Sequence, residues 1–171
     1  MHSPAPARRR LLRALATAVL APSALAVATA QAAKRSALPD VEVWKSPLCG
    51  CCKDWIKHLQ DAGFRVKSVD VPDSRHVRAK FGMPARLGSC HTALVGGYVI
   101  EGHVPAREIK RLLAEKPSAL GLTVPGMPIG SPGMDGPAYK GMQDPYDVLL
   151  VQADGSARAF ASYAGNHGAR R

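Results

Sequence analysis

Val41-Glu42-Val43-Trp44, then Ser46-Pro47-Leu48, then Cys49-Gly50-Cys51-Cys52 follow one another in a single short stretch, and their order decides the fold. The first four residues alternate as a half-buried strand does, and Ser-Pro-Leu reads as a turn. Beyond it, Cys52, Trp55, Ile56 and Leu59 stand at i, i+3, i+4 and i+7, one face of a helix, and Gly63 is placed to end that helix. A Cys-x-x-Cys pair therefore falls where a strand turns into a helix.

Working outward, Phe64 to Val71 is rich in valine and predicts a second strand, with an alternation that changes phase near Ser68. Ser74 is an N-cap candidate for a short helix reaching Phe81 and stopped at Gly82. Thr92 to Val95 and Tyr98 to Ile100 predict a hairpin across Gly96-Gly97. Pro105 suits a first helical position, Ile109, Leu112 and Leu113 form a buried stripe, and Pro117 ends that helix. The order β, α, β, α, β, β, α predicts an α/β fold, a sheet flanked by helices. With Cys-x-x-Cys at the first strand-to-helix turn, the pattern is thioredoxin-like, and more narrowly glutaredoxin-like.

Residues 117–145 break the pattern. These 29 residues hold 6 Pro and 6 Gly and no sustained period, so they are expected to form an irregular Pro/Gly/Met-rich loop of the functional or disordered kind. Asp147 to Gln152 and Ala157 to Ala161 then predict a C-terminal β-hairpin across Ala153-Asp154-Gly155-Ser156. The domain is expected to span 33–165, with a disordered tail at 166–171. Only 5% of the 171 residues are aromatic, so aliphatic side chains must fill the core.

The first 32 residues read as a signal peptide. Arg8, Arg9, Arg10 and Arg13 precede a run of Leu, Ala and Val, Pro22 interrupts that run, and Ala30-Gln31-Ala32 is a small-x-small cleavage pattern. Removal predicts an exported, periplasmic protein with no membrane insertion. The Arg8-Arg9-Arg10-Leu11-Leu12 run leaves the general secretory and twin-arginine routes both open. Taking the four arginines from the formal charge of +10 leaves +6, spread among acids without aromatic interleaving, so a nucleic-acid role has no motif behind it.

Four cysteines in an oxidising compartment suggest two disulfides, a redox dithiol or a metal site. Cys49 stands at a helix N-terminus, where the dipole favours a thiolate; thiolates both attack disulfides and bind soft metals. A dithiol oxidoreductase needs only Cys49 and Cys52, and Cys51 between them offers a wrong partner for each step. For a thiophilic metal the third sulfur is useful, and soft thiolates select Cu(I) and Zn. Cys90-His91 precedes the third strand and is expected beside the Cys-x-x-Cys turn. The favoured reading is copper, as Cu(I), on Cys49, Cys51, Cys52 and Cys90. His91 is expected nearby, with Met127 and Met134 of the two Pro-Gly-Met phrases as thioether candidates that otherwise pack on the core. Zinc and an iron–sulfur cluster also suit four thiolates. His103 is divided between ligation and a hydrogen-bonded structural role. His58 and His76 are expected on solvated helix positions, His167 in the tail, and Trp44 and Trp55 in the core.

Trp44 to Asp70 resembles the start of a glutaredoxin. Cys90-His91-Thr92 departs from that pattern, since thioredoxin-like oxidoreductases place a cis-proline there. A second resemblance rests on Cys49-Gly50-Cys51-Cys52, Ser89-Cys90-His91-Thr92, Glu101-Gly102-His103-Val104-Pro105, Val124-Pro125-Gly126-Met127-Pro128 and Gly130-Ser131-Pro132-Gly133-Met134. These runs are similar to those of the DUF411 family of exported metal-binding proteins, which includes CopG-like copper-resistance proteins. That resemblance implies a periplasmic, thioredoxin-like copper protein with the cysteines as ligands. Its partners would be copper ions and other periplasmic copper-handling or redox proteins. The competing activity is a thiol–disulfide or copper oxidoreductase in which Cys49 attacks and Cys52 resolves.

Overall fold

A computed structural model describes residues 38–166. The predicted signal peptide, the cleavage point at Ala32 and most of the predicted tail, including His167, lie outside the described residues. Seven strands form one sheet in the order β2-β1-β3-β4-β5-β6-β7. They are β1 (Val41–Lys45), β2 (Val66–Asp70), β3 (His91–Val95), β4 (Tyr98–Glu101), β5 (Gly121–Thr123), β6 (Tyr146–Val151) and β7 (Ala157–Tyr163). Three helices accompany them: α1 (Gly50–Asp61), α2 (Arg75–Lys80) and α3 (Ala106–Glu115).

The two faces of the sheet bury different sets of side chains. Alternate residues Val41, Val43, Ala93, Val95, Ile100 and Leu122 pack with Trp55 and Leu59 of α1 and Ile109 and Leu112 of α3 in the larger core. On the smaller one, Val99 and Val151 meet Met83 and Leu87, which follow α2. Full burial of such a side chain is worth about 1.5–3 kcal/mol, so these aliphatic layers carry the fold. β2 is an edge strand paired only with β1, and its weak alternation follows from having one neighbour and little burial.

The segment 117–145, expected to be irregular throughout, contains β5. This strand joins β4 in parallel register and β6 in antiparallel register, so it links the first four strands to the last hairpin. Gly121 allows it: a Cβ there would sit 1.7 Å from the Val99 carbonyl oxygen. A glycine in a strand marks such a close approach of backbones, and it also erased the strand signal.

Three smaller expectations change. Pro105 is the N-cap of α3 and not its first helical residue. Ser74 caps α2 by position, but its hydroxyl donates to the Cys90 carbonyl at 3.3 Å. Asn166 is tied down: its backbone N–H donates to the Gln143 carbonyl at 3.0 Å, its Oδ1 accepts the Gln143 N–H at 2.9 Å, and its side-chain amide donates to the Gly141 carbonyl at 2.7 Å. Among the described residues no helix is long and apolar enough to cross a membrane.

Candidate metal centre

Sheet register gathers the chemistry at one end of the sheet. β3 runs antiparallel to β1 with Lys45 opposite His91, so Cys90 enters β3 where the chain leaves β1 for the cysteine turn. β4 pairs with β3 through Thr92 and Glu101, and the Gly102 N–H donates to the His91 carbonyl at 3.0 Å, so His103 leaves the sheet at the same end.

Cys49 is the N-cap residue of α1, with extended backbone and no side-chain cap. Cys51 and Cys52 follow in the first turn. Cys52 is buried, because it shares the inward face with Trp55 and Leu59. Cys49 and Cys52 are joined as a disulfide, and Cys51 and Cys90 are free. Cys51 Sγ lies 3.5 Å from Cys49 Sγ, and Cys90 Sγ lies 3.5 Å from Cys52 Sγ. All four sulfurs fall within 4.8 Å of one another. A metal–sulfur bond of about 2.3 Å in a tetrahedron requires sulfurs about 3.8 Å apart, so the donor set fits a thiophilic ion once the disulfide is opened. The four sulfurs lie together, with one disulfide among them and the thiols of Cys51 and Cys90 free.

Cys90 belongs to a second group as well. Its Sγ lies 3.3 Å from His91 Nδ1 and 3.1 Å from His103 Nε2, and these three donors also cluster within 4.8 Å. His103 Nδ1 is 2.8 Å from the Pro132 carbonyl. A carbonyl only accepts, so Nδ1 carries the proton and Nε2 presents its lone pair to the sulfur side. His91 is fully buried between Trp55 and His103, with ring centroids 4.3 and 5.1 Å away, and its Nε2 has no hydrogen-bond partner. Burial pushes both imidazoles below their ordinary value of 6.5, which keeps them neutral and ligand-ready. Burial, with the Cys51 thiol adding to it, pushes the Cys90 thiol up to about 12. A cation bound beside it would reverse that preference by stabilising the thiolate.

The peptide around Cys90 is held by a buried ion pair. Glu101, with no exposed surface, accepts from Arg78 Nε, the Ser89 N–H and the Thr92 hydroxyl, each at 2.7 Å. Arg78 also donates to the Ser89 carbonyl at 2.5 Å. Both sides of the Ser89 peptide are thus clamped, and the residue clamped next to them is Cys90.

The Pro/Gly loop reaches the site at two places. The Gly126 N–H donates to the Gly88 carbonyl at 3.1 Å, and the Ser89 hydroxyl donates to the Gly126 carbonyl. Met127, next in sequence, is 51% exposed. Gly133, at φ +84°, lies on α1, where a Cβ would come within 2.5 Å of the Cys51 carbonyl oxygen. Met134 beside it is buried, and its Sδ accepts the Tyr139 hydroxyl at 3.5 Å. Of the two loop methionines, Met127 is exposed and Met134 is buried with its sulfur on Tyr139.

Two histidines were read too weakly from sequence. His103 belongs with Cys90 and His91; its only local signal was its position after Gly102 at a strand end. His58, expected to be solvated, accepts the Ala106 N–H at Nε2 at 3.0 Å and so caps α3 from the side. Trp55 makes the parallel tie, donating from Nε1 to the Val104 carbonyl at 2.9 Å. His76 is exposed, as expected. Both tryptophans pack: Trp55 in the core, and Trp44 half-buried against Phe81 with ring centroids 5.1 Å apart.

Fold and site together define a mixed α/β protein whose cysteine and histidine side chains converge on a centre able to hold metal. The DUF411 family model, described as a protein of unknown function, matches residues 87–134, which run from just before Cys90 through Met134. Two solved structures, of Copper resistance protein copG in Form 1 and Form 2, are each 42% identical to the chain, with TM-scores of 0.69. The alignments cover 75% and 74% of this chain and 99% and 98% of those chains. No curated protein sequence matches the chain significantly. The chain belongs to the DUF411 family, with the CopG-like copper-resistance proteins.

Proposed function

We propose that this is a periplasmic copper-binding protein of copper tolerance, which holds Cu(I) on Cys49, Cys51, Cys52 and Cys90. The observation that carries the reading is the convergence of all four Sγ atoms within 4.8 Å. Soft thiolates so crowded suit Cu(I), and adjacent sulfurs can bridge more than one ion. Copper as the cargo is supported by the relatives, both named as copper-resistance proteins. His91 borders the set, and Met127 and Met134 supply thioethers on its rim. The exported location rests on Arg8 to Ala32, which reads as a cleavable signal.

The finer fold reading is thioredoxin-like. It is supported by the order β2-β1-β3-β4, with β1 and β2 parallel, β3 antiparallel to β1, and the cysteine turn between β1 and α1.

Loading four thiolates requires the Cys49–Cys52 bond to take up two electrons. The test is anaerobic Cu(I) titration of the fully reduced protein, with elemental analysis of protein from copper-grown cells. More than one Cu(I) per chain, without zinc or iron, is expected. Iron with strong visible bands, or zinc alone, overturns the copper reading. A mature N-terminus at Ala33 is the expected companion result, and one at Met1 overturns export.

The Cys49–Cys52 disulfide favours a second reading, a thiol–disulfide or copper oxidoreductase in which Cys49 attacks and Cys52 resolves. Disulfide exchange that survives strict copper removal would promote it over storage or transfer.

A further inference from the structure

We propose that His58 is an acid-operated latch: its neutral ring clips the N-terminus of α3 to α1, and its protonated ring lets that end go, loosening the segment that runs back to His103. It uses contacts away from the cysteines and does not depend on the copper reading above.

Ala106 opens α3, and its N–H is one of the first-turn donors that no carbonyl of the helix can reach. Pro105 before it is the N-cap and makes no side-chain cap. The acceptor comes from α1 instead: His58 Nε2 takes the Ala106 N–H at 3.0 Å. An imidazole accepts only through an unprotonated nitrogen, so the neutral ring carries its proton on Nδ1. A second proton turns Nε2 into a donor that faces another donor. It also brings a positive charge to a helix N-terminus, where the dipole is already positive. Both effects break the same contact.

Trp55, one turn earlier on α1, donates from Nε1 to the Val104 carbonyl at 2.9 Å. Residues 55 and 58 stand at i and i+3, so one face of α1 grips residues 104 and 106 with two side chains. The indole N–H donates at every pH, and only the imidazole titrates. Acid therefore loosens this stretch without freeing it.

The charged ring has somewhere to go. Asp135, in the loop after β5, and Asp61, on α1 and paired with Lys57, both attract it. Arg107 and Glu108, in the first turn of α3, are already paired with each other at 2.8 Å. Half-burial of the ring outweighs the two acids and holds its pKa below 6.5. The latch is thus shut at neutral pH and opens as pH falls below that value.

The experiment is an NMR titration of the full mature chain, isotope-labelled, metal-free and with the Cys49–Cys52 disulfide intact, from about pH 8 to about pH 5, across the histidine range. Imidazole nitrogen shifts report the tautomer and protonation of His58. Amide hydrogen exchange, corrected for its intrinsic pH dependence, reports the Ala106 N–H. The neutral ring is expected as the Nδ1–H tautomer. Ala106 protection is expected to fall by about fivefold, the worth of one helix cap, with the midpoint of the ring. His58→Gln, whose amide oxygen accepts at every pH, is expected to keep that protection flat. His76→Gln, on exposed α2, is expected to leave the wild-type curve unchanged.

Ala106 protection that ignores the His58 titration overturns the latch, and so does a neutral ring protonated on Nε2. A fall that persists in His58→Gln assigns the acid response to another group and overturns it too. If the glutamine variant folds poorly, the wild-type midpoints decide: matched ones uphold the latch and separate ones overturn it. No readout involves copper, so each outcome holds whatever metal the centre takes.

Discussion

The two halves of the centre are built in opposite ways. Cys49, Cys51 and Cys52 come from one helical turn, the first two half-buried beside Leu48, which has 92% of its surface exposed, and Cys52 buried beneath them. Cys90, His91 and His103 come from two strand ends, the two rings fully buried and Cys90 half-buried, with Glu101–Arg78, Pro132 and Trp55 around them. The helix-borne half carries the Cys49–Cys52 disulfide, a bond that opens and closes by thiol exchange. A position fixed by a buried ion pair does not yield. The contrast teaches that one half is suited to change state and the other to stay in place.

The hardest blow to that contrast is Arg78→Met. It leaves the Glu101 carboxylate buried and unpaired, and breaking a buried pair from one side costs about 3–5 kcal/mol. Chemical denaturation of the apo protein should show that loss, with Arg78→Met/Glu101→Gln recovering much of it. A loss below about 1 kcal/mol would mean that the ion pair is not what holds the Cys90 side.

Cys51→Ser attacks the other half. It removes one sulfur of four without touching the Cys49–Cys52 bond, and serine is a poor soft-metal donor. Cu(I) bound per reduced chain should fall, with the thiol count showing that the pair still oxidises. Equal stoichiometry and affinity in the two proteins would sink the cluster and promote the oxidoreductase.

His58 joins α1 to the segment carrying His103, so it tests whether the halves are coupled. Losing a cap of this kind costs about 1 kcal/mol, the expected effect of His58→Ala on apo stability. Burial lowers the His58 pKa from 6.5, with Asp135 and Asp61 opposing. The unfolded chain therefore takes up the proton first. This contribution is complete above about pH 6.5 and falls as pH drops through and below it. His58→Gln should flatten that part of the stability–pH profile, and a profile that keeps its slope would assign the acid sensitivity elsewhere.

The smallest effect is expected from Met127→Leu/Met134→Leu. Apolar bulk is kept and the thioethers are removed, so the apo melting temperature should stay close while Cu(I) affinity drops. Unchanged affinity would return both residues to packing.

How much of this was legible depends on the range of the signal. Cys52, Trp55 and Leu59 announce their helix because residues i, i+3 and i+7 share a face whatever surrounds them, and the Gly96-Gly97 hairpin is equally local. Both cysteine motifs could be paired from the strand–helix order. Gly121–Thr123 could not be seen, because its three residues are a strand only by virtue of β4 and β6 on either side.

Local chemistry in the sequence by itself determined the helix-borne sulfurs, the turn that presents them and the strand leading into Cys90. Only the tertiary structure decided which imidazole faces Cys90, which carbonyl sets the tautomer of His103 and which buried charge holds Ser89. Those contacts join residues 11 to 29 positions apart through sheet register and loop packing. Hydrogen bonding and metal ligation act over about 3 Å, and no periodicity in a chain encodes such a distance until the strands have paired.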